Sequence, residues 1–378
     1  MIYDAIIVGI GGMGSATAWQ LARRGRRVLG LEAFDIPNAM GSSHGVTRII
    51  RLPYYESPAY VPLLIRAYEL WGDIEAATST RLLHTTGSID ASKESDPLFQ
   101  GAMRAAKLHD LDHEVLTGRD INLRFPGYQL PADFLALFQP GGGFIASERA
   151  IVAHVKAAQD RGAEIHARER VTGWKARPGG DGVAVTTDHG HYEAATLVLT
   201  AGAWMGQLVP LLETKAVPER QVLAWLQPHY PELFSPDNFP VFNIQVDEGR
   251  YYGLPIFDVP GFKFGRYHHL RESGSVESIR RDADQRDESL LRTFAQRYFP
   301  KGCGPTMALR SCLFTNTPDE HFIIDFHPEH PQVVLASPCS GHGYKFCSVM
   351  GEILADLVIH RRHAKHDISF LNLTRFSS

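Results

Sequence analysis

Gly9, Gly11 and Gly14 form a Gly-x-Gly-x-x-Gly array with Gly12 and Met13 between the last two, and the acidic Glu32 follows 18 positions after Gly14. Glycines at this spacing permit a tight turn, let a phosphate approach the backbone, and let a helix and strand pack closely. The free N–H groups and partial positive charge of the following helix then hold a pyrophosphate. Glu32 is placed to accept hydrogen bonds from an adenosine ribose, the alternative being a solvated carboxylate at a strand end. Glycine is common enough that the array alone is weak. Its place after one buried strand and before a helix makes it specific. The ADP half it suits is shared by FAD and the nicotinamide cofactors. The chain does not continue with further alternating strand and helix units after Glu32, which favours a flavin.

Other reactive types are scattered. Cys303, Cys312, Cys339 and Cys347 cluster late in the chain, lack the spacing of a metal site, and are too few to staple a fold of this length. A reducing cytoplasm fits, with one cysteine left for chemistry. By itself Cys312 reads as a buried apolar cysteine. Arg51 follows the apolar Ile49 and Ile50, so its strand runs inward. Lys345 lies between Tyr344 and Phe346, which predicts an enclosed place. Lys263 alternates with Phe262 and Phe264 and so points away from them, towards either a ligand or solvent; on its own residues the solvent reading leads.

These groups need elements to position them. Residues 3–8 read as a buried strand, 15–24 as a helix stopped by Gly25, and 27–32 as a second buried strand. Residues 85–144 are irregular with short helical stretches. A helix from Ser147 to Gly162 follows, then strands at 163–167, 171–174 and 195–202 that extend the opening sheet. From 217 to 305, aromatic strands separated by proline turns predict a separate antiparallel sheet. The chain then returns to buried strands at 322–325 and 333–336 and ends in a helix over 346–360. The expected fold class is α/β: a Rossmann-type domain built from residues 1–84, 147–216 and 306–378, plus a largely antiparallel substrate domain with helices from 85–146 and 217–305.

Composition bounds the partners. The 378 residues suffice for two or three folding units, and 44% apolar with 21% charged residues is ordinary for a globular protein. A formal net charge of −4 without a long basic run gives no support for nucleic acid or an anionic membrane. No apolar run is long enough to span a bilayer. Asp4 follows Met1, Ile2 and Tyr3 directly, leaving no room for a signal peptide.

With the glycine array, three further stretches carry a resemblance over nearly the whole chain: Gly41 to Arg51, Cys312 to Asp325, and Ser340 to Phe346. In them the sequence resembles the monomeric sarcosine oxidase and N-methyltryptophan oxidase family, flavoenzymes with covalently bound FAD. The resemblance implies that Cys312 forms a thioether with the flavin, with Arg48 supplying part of the positive charge that a nucleophilic thiolate needs. It implies Arg51 and Lys345 as the cations that hold a substrate carboxylate. It places Gly343, Tyr344 and Lys345 at the end of the ring that gains negative charge, and Lys263 where oxygen reacts. Ser42, Ser43, His44, Val171, Ala201, Gly202, Trp204 and Gly341 complete the implied cofactor site. Tyr252 and His268 match pocket residues. The family spaces its lysine and histidine four apart, whereas here Arg266 reads as an insertion that leaves His268 or His269 as the candidate.

The activity so implied is oxidation of a secondary amine on a small N-methyl amino acid. Hydride passes to FAD, the imine hydrolyses, and oxygen is reduced to hydrogen peroxide; the family precedent is a monomer. Rivals are a proline or pipecolate oxidase or dehydrogenase of the same fold, a nicotinamide-dependent dehydrogenase, and a flavin-binding module without activity. No metal site is expected.

Overall fold

The opening run Tyr3–Val8 is apolar on both sides of the strand, as a parallel strand covered on two faces must be. A computed structural model describes residues 3–361 and 365–376; Met1 and Ile2 of the leader reading, residues 362–364, and the last two residues of the expected first domain lie outside them. Tyr3–Val8 pairs in parallel with Val28–Leu31 on one side and His191–Leu199 on the other. Glu164–His166 adds in parallel beyond Val28–Leu31, and His330–Ser337 pairs in parallel with His191–Leu199. Antiparallel strands Val171–Ala176, Val183–Thr187 and Ile323–His327 complete an eight-stranded sheet. Helices Gly12–Ala22, Ser147–Gln159, Cys347–His360 and Val61–Thr78 pack beside it in one apolar core. This is the Rossmann-type unit, assembled from distant segments.

The first helix begins at Gly12, inside the glycine array and three residues earlier than its periodicity suggests, and ends before Gly25, whose φ of 73° suits a residue without a side chain. Gly9 has φ 88°, and a Cβ at Gly14 would lie 1.8 Å from the Gly9 carbonyl oxygen. Turn and close packing therefore both demand glycine.

A second eight-stranded sheet runs in the order Thr306–Asn316, Val217–Leu226, Phe262–Arg266, Gly249–Leu254, Val241–Val246, Ser88–Ser92, Leu135–Gln139, Glu114–Thr117. All its pairings are antiparallel except Val241–Val246 with Ser88–Ser92. Two features differ from the sequence reading. The segment 85–144 is not irregular: it supplies three of these strands and the amphipathic helix Pro97–Leu108. Thr306–Asn316, expected to have rejoined the first unit, pairs along its length with Val217–Leu226. A small third sheet joins Thr47–Ile50, Gly143–Ala146 and Leu83–Thr85 across the expected boundaries at 84 and 146.

The second sheet has two chemically different faces, as a period of two residues requires. Ile89, Phe242, Ile244, Tyr251, Phe262 and Phe264 turn to one side and pack on Leu291, Phe294 and Tyr298 of helix Gln285–Tyr298. Their alternates Asp90, Asn243, Tyr252 and Lys263 turn to the other. Cross-strand pairing sets Asn243 opposite both Asp90 and Tyr252, Tyr252 opposite Gly265, and Lys263 opposite Leu254. Among the described residues no helix is long and apolar enough to cross a membrane.

Candidate active site

One cleft runs from the carboxyl ends of the parallel strands to the polar face of the second sheet. Its empty space, open mouth included, is about 1890 Å³. Gly9, Gly11, Gly12, Met13 and Glu32 line one end, and Asn243, Tyr252 and Lys263 line the other. Such a cleft beyond the carboxyl ends of an open parallel sheet is where this architecture binds nucleotides.

At the first end Gly11 caps the helix without a side chain, and Ser43 Oγ accepts from Gly12 N–H at 3.2 Å. Glu32 is buried at 7% exposure, its carboxylate accepting from Ile10 N–H at 2.9 Å and Phe34 N–H at 3.1 Å. Burial raises its pKa, and these donors oppose the rise. A glycine cradle, a helix start and a fixed carboxylate fit the ADP half of FAD. Val171, Ala201, Gly202 and Trp204 continue this wall, Trp204 tilted against Phe34 at 5.3 Å between ring centroids. Gly14 lies beneath the cradle and off the cleft surface.

Midway, the buried Cys312 faces Arg48, whose Nη2 donates to the sulfur at 3.7 Å and to Ser42 O at 2.8 Å. Burial by itself raises a thiol pKa; His44, Arg48 and Lys263 outweigh it and bring Cys312 down to about 7. Cys339 also lines the cleft, but burial pushes its thiol up to about 11. Of the two cleft cysteines, Cys312 alone is a ready nucleophile. Ser42 and Ser43 line this stretch, and His44 is buried behind it.

Lys263 is not in solvent. At 2% exposure its ammonium donates to Gly45 O and Thr47 O, both at 2.6 Å, and burial followed by the Arg48 charge lowers its pKa far below the usual lysine value. The turn it grips includes Val46 at φ 74°, a strained position for a β-branched residue, and Glu148 holds the other side by accepting from Gly45 N–H at 2.7 Å.

At the substrate end Arg51 is buried and already paired, with Glu56 at 2.9 Å and Asp90 at 3.4 Å. Burial would raise Glu56, but Arg51 outweighs it and holds the carboxyl near 2, whereas burial lifts Asp90 to about 6. Arg51 also lies over the Tyr54 ring at 4.7 Å, and the Lys345 ammonium lies 5.3 Å from the same centroid. Lys345 donates to His342 O at 2.9 Å, and burial, reinforced by Arg51, lowers its pKa to about 7. The loop that carries it turns through Gly341, at φ 75°, and Gly343, where a Cβ would lie 1.6 Å from Pro338 O. Tyr344 donates to Ser147 O at 2.5 Å and lines the cleft.

His268 and His269 stand elsewhere. His268 lies between Glu219 at 3.0 Å and Glu320 at 3.1 Å, and His269 is buried against Asp287 at 3.0 Å. Tyr267 lines the cleft instead, its ring covered by the Arg250 guanidinium at 3.6 Å and edged by Tyr252 at 5.2 Å. Strand Phe262–Arg266 pairs with both neighbours without a bulge, and the position four after Lys263 is a tyrosine. That spacing was the signal available for Tyr267. Asp90 and Asn243 had none, since they meet each other and Arg51 only through pairings distant in sequence.

The chain matches the DAO family, FAD dependent oxidoreductase, over residues 4–357. It belongs to that family. Within it, this oxidoreductase is 38% identical over 378 residues to the monomeric sarcosine oxidase of Bacillus sp. (strain B-0618), covering 99% of this chain and 96% of the relative. It is 34% identical over 382 residues to the N-methyl-L-tryptophan oxidase of Yersinia pestis (strain Pestoides F), covering all of both chains. The solved open form of NikD, an unusual amino acid oxidase essential for nikkomycin biosynthesis, superimposes with a TM-score of 0.84 at 27% identity, over 98% of this chain and 97% of that one. The protein is thus an FAD-dependent oxidoreductase of the sarcosine oxidase and N-methyltryptophan oxidase group.

Proposed function

We propose that this oxidoreductase oxidises the carbon beside the nitrogen of a small N-methyl amino acid, of which sarcosine is the simplest. The observation that carries the reading is a trio of cleft cations, Arg48, Lys263 and Lys345. Among the described residues their donors meet carbonyls, two hydroxyls and a thiol, and none is in an ion pair. Cations held away from water without a counter-ion favour an anionic ligand strongly.

Gly9 to Gly14 and Glu32 would hold the ADP half of FAD, and Cys312, with its thiol pKa near 7, is the residue that attaches the flavin covalently. Bound there, FAD would supply two-electron redox chemistry, coupling oxidation of the substrate carbon–nitrogen bond to reduction of oxygen to hydrogen peroxide. Lys345, with Arg51, holds the substrate carboxylate, so the N-methyl carbon is fixed rather than free to tumble. The low pKa of Lys345 makes its charge available in neutral solution and removable just above it. Lys263 would supply positive charge where oxygen reacts once an anionic ligand beside it offsets the burial that lowers its pKa. Tyr252 and Tyr267 wall the pocket. The remaining steps need water alone: the imine hydrolyses to an aldehyde, formaldehyde for an N-methyl group, and a primary amine.

Anaerobic titration of the purified yellow protein with N-methyl and cyclic amino acids, followed by flavin absorbance, tests this reading. Bleaching by sarcosine or another N-methyl amino acid, and peroxide on admitting air, is the expected result. Colour without bleaching by any member of the panel would overturn it.

A further inference from the structure

Asn243 is buried at 3% exposure on the cleft face of the second sheet, between Asp90 and Tyr252 on the neighbouring strands. Its amide nitrogen is committed: Nδ2 donates to Asp90 Oδ1 at 3.0 Å, and the same carboxylate oxygen lies 3.4 Å from Arg51 Nε. An amide whose nitrogen is tied to a carboxylate has its oxygen fixed in direction as well, because the group is planar. Among the described residues no hydrogen bond reaches Asn243 Oδ1, and that atom is not among the polar atoms sealed from the surface. The cleft therefore holds a preset acceptor beside the residues assigned to the substrate carboxylate.

From this geometry we infer that Asn243 determines specificity by accepting a hydrogen bond from the substrate, an inference that rests on the functional reading above. An acceptor left bare when the ligand expels water weakens binding by about 10–100-fold, and a site built to pair a donor rejects ligands that lack one. The donor has two possible sources on an N-methyl amino acid: the amine N–H itself, or a hydroxyl on the side chain. Asp90 and Arg51 orient Asn243, which makes the contact.

The test uses holoenzyme and its Asn243→Leu variant, with sarcosine, N-methyl-L-serine and N,N-dimethylglycine as substrates; hydride loss needs a free nitrogen lone pair, so each reacts as the neutral amine, and in that form N,N-dimethylglycine has no N–H. Acetate, followed by perturbation of the flavin spectrum, serves as a ligand with a carboxylate and no amine. The expected result is a fall of about 10–100-fold in kcat/KM where the paired donor is present, with the acetate Kd unchanged within about threefold. A fall on sarcosine and N-methylserine that spares N,N-dimethylglycine assigns the amine N–H; a fall on N-methylserine alone assigns the side chain. Equal changes across the substrates, or acetate affinity falling in step with them, overturns the inference, since Asn243 would then act only by supporting Arg51. Asn243→Ser, which removes the amide oxygen but keeps a small polar side chain, gives the same ordering if the leucine variant fails to fold. Wild-type enzyme that bleaches with none of the three amines overturns the functional reading itself, before any variant is compared.

Discussion

The Arg48 guanidinium donates to the Cys312 sulfur at 3.7 Å while its other bonds go to the Thr47 and Ser42 carbonyls. The guanidinium is thereby fixed against the one cleft thiol whose pKa lies near 7. Alkylation of flavin-free protein by iodoacetamide should rise about tenfold per pH unit below that value and level off above it. Arg48→Met should move the midpoint upward, and in Cys312→Ala the yellow colour should separate from the acid-precipitated chain. A flat pH profile would remove Cys312 as the attachment residue.

Lys345 sets a pH dependence for anion binding. Its pKa is lowered to about 7, so the ammonium is charged below that pH and neutral above it. Carboxylate binding favours the charged form, so the acetate Kd should be constant below pH 7 and rise about tenfold per unit above it. Lys345→Met should bind acetate weakly and with no such slope.

Replacing Lys263 by methionine should separate the two halves of turnover. Reduction by substrate under anaerobic conditions should stay within about threefold of wild type, while the reaction with oxygen slows by on the order of 10²–10³-fold, the scale on which a preorganised charge acts. Stopped-flow traces of the two half-reactions read this directly. Equal slowing of both would mean that the lysine only braces the turn at Gly45 to Thr47.

His268 should matter to stability before catalysis. Hydrogen bonds to Glu219 and then Glu320 raise its pKa to about 9. A raised folded pKa gives stability that is complete below the unfolded value near 6.5 and is lost as pH climbs through about 9. With partial solvent screening the contribution is about 1–2 kcal/mol. His268→Gln should lower Tm at pH 6 more than at pH 9.5 and leave kcat/KM within about threefold. A large loss of kcat/KM with unchanged Tm would return His268 to the pocket.

Local chemistry was the legible part of this chain. The glycine array, Glu32 and the first strand-helix-strand unit follow from short-range rules, and the structure has them within a few residues. Lys263 shows where such rules stop. Alternation fixes which way it points, but whether that side meets water or protein depends on a first unit whose nearest pieces lie far away in sequence. Asn243 and Asp90 are 153 residues apart and touch only because two strands pair in parallel. Tyr267 was concealed by treating Arg266 as an insertion, which directed the reading to the two histidines beyond it, while the cleft is lined by the tyrosine. Residues 306–316, which carry Cys312, were grouped with the first unit; their pairing along Val217–Leu226 depends on a strand far away in sequence.

The two-sided second sheet divides labour residue by residue along each strand. Phenylalanines that hold the helix and side chains that meet the ligand alternate, so either set can change while the other stays put. Chemistry on this scaffold is thus open to gradual retuning through every second position. A single-residue insertion or deletion inside a strand would instead exchange the two sets beyond it, putting a lysine into the phenylalanine layer. Variation between such enzymes should therefore accumulate as substitutions on the ligand side and as length changes in the turns.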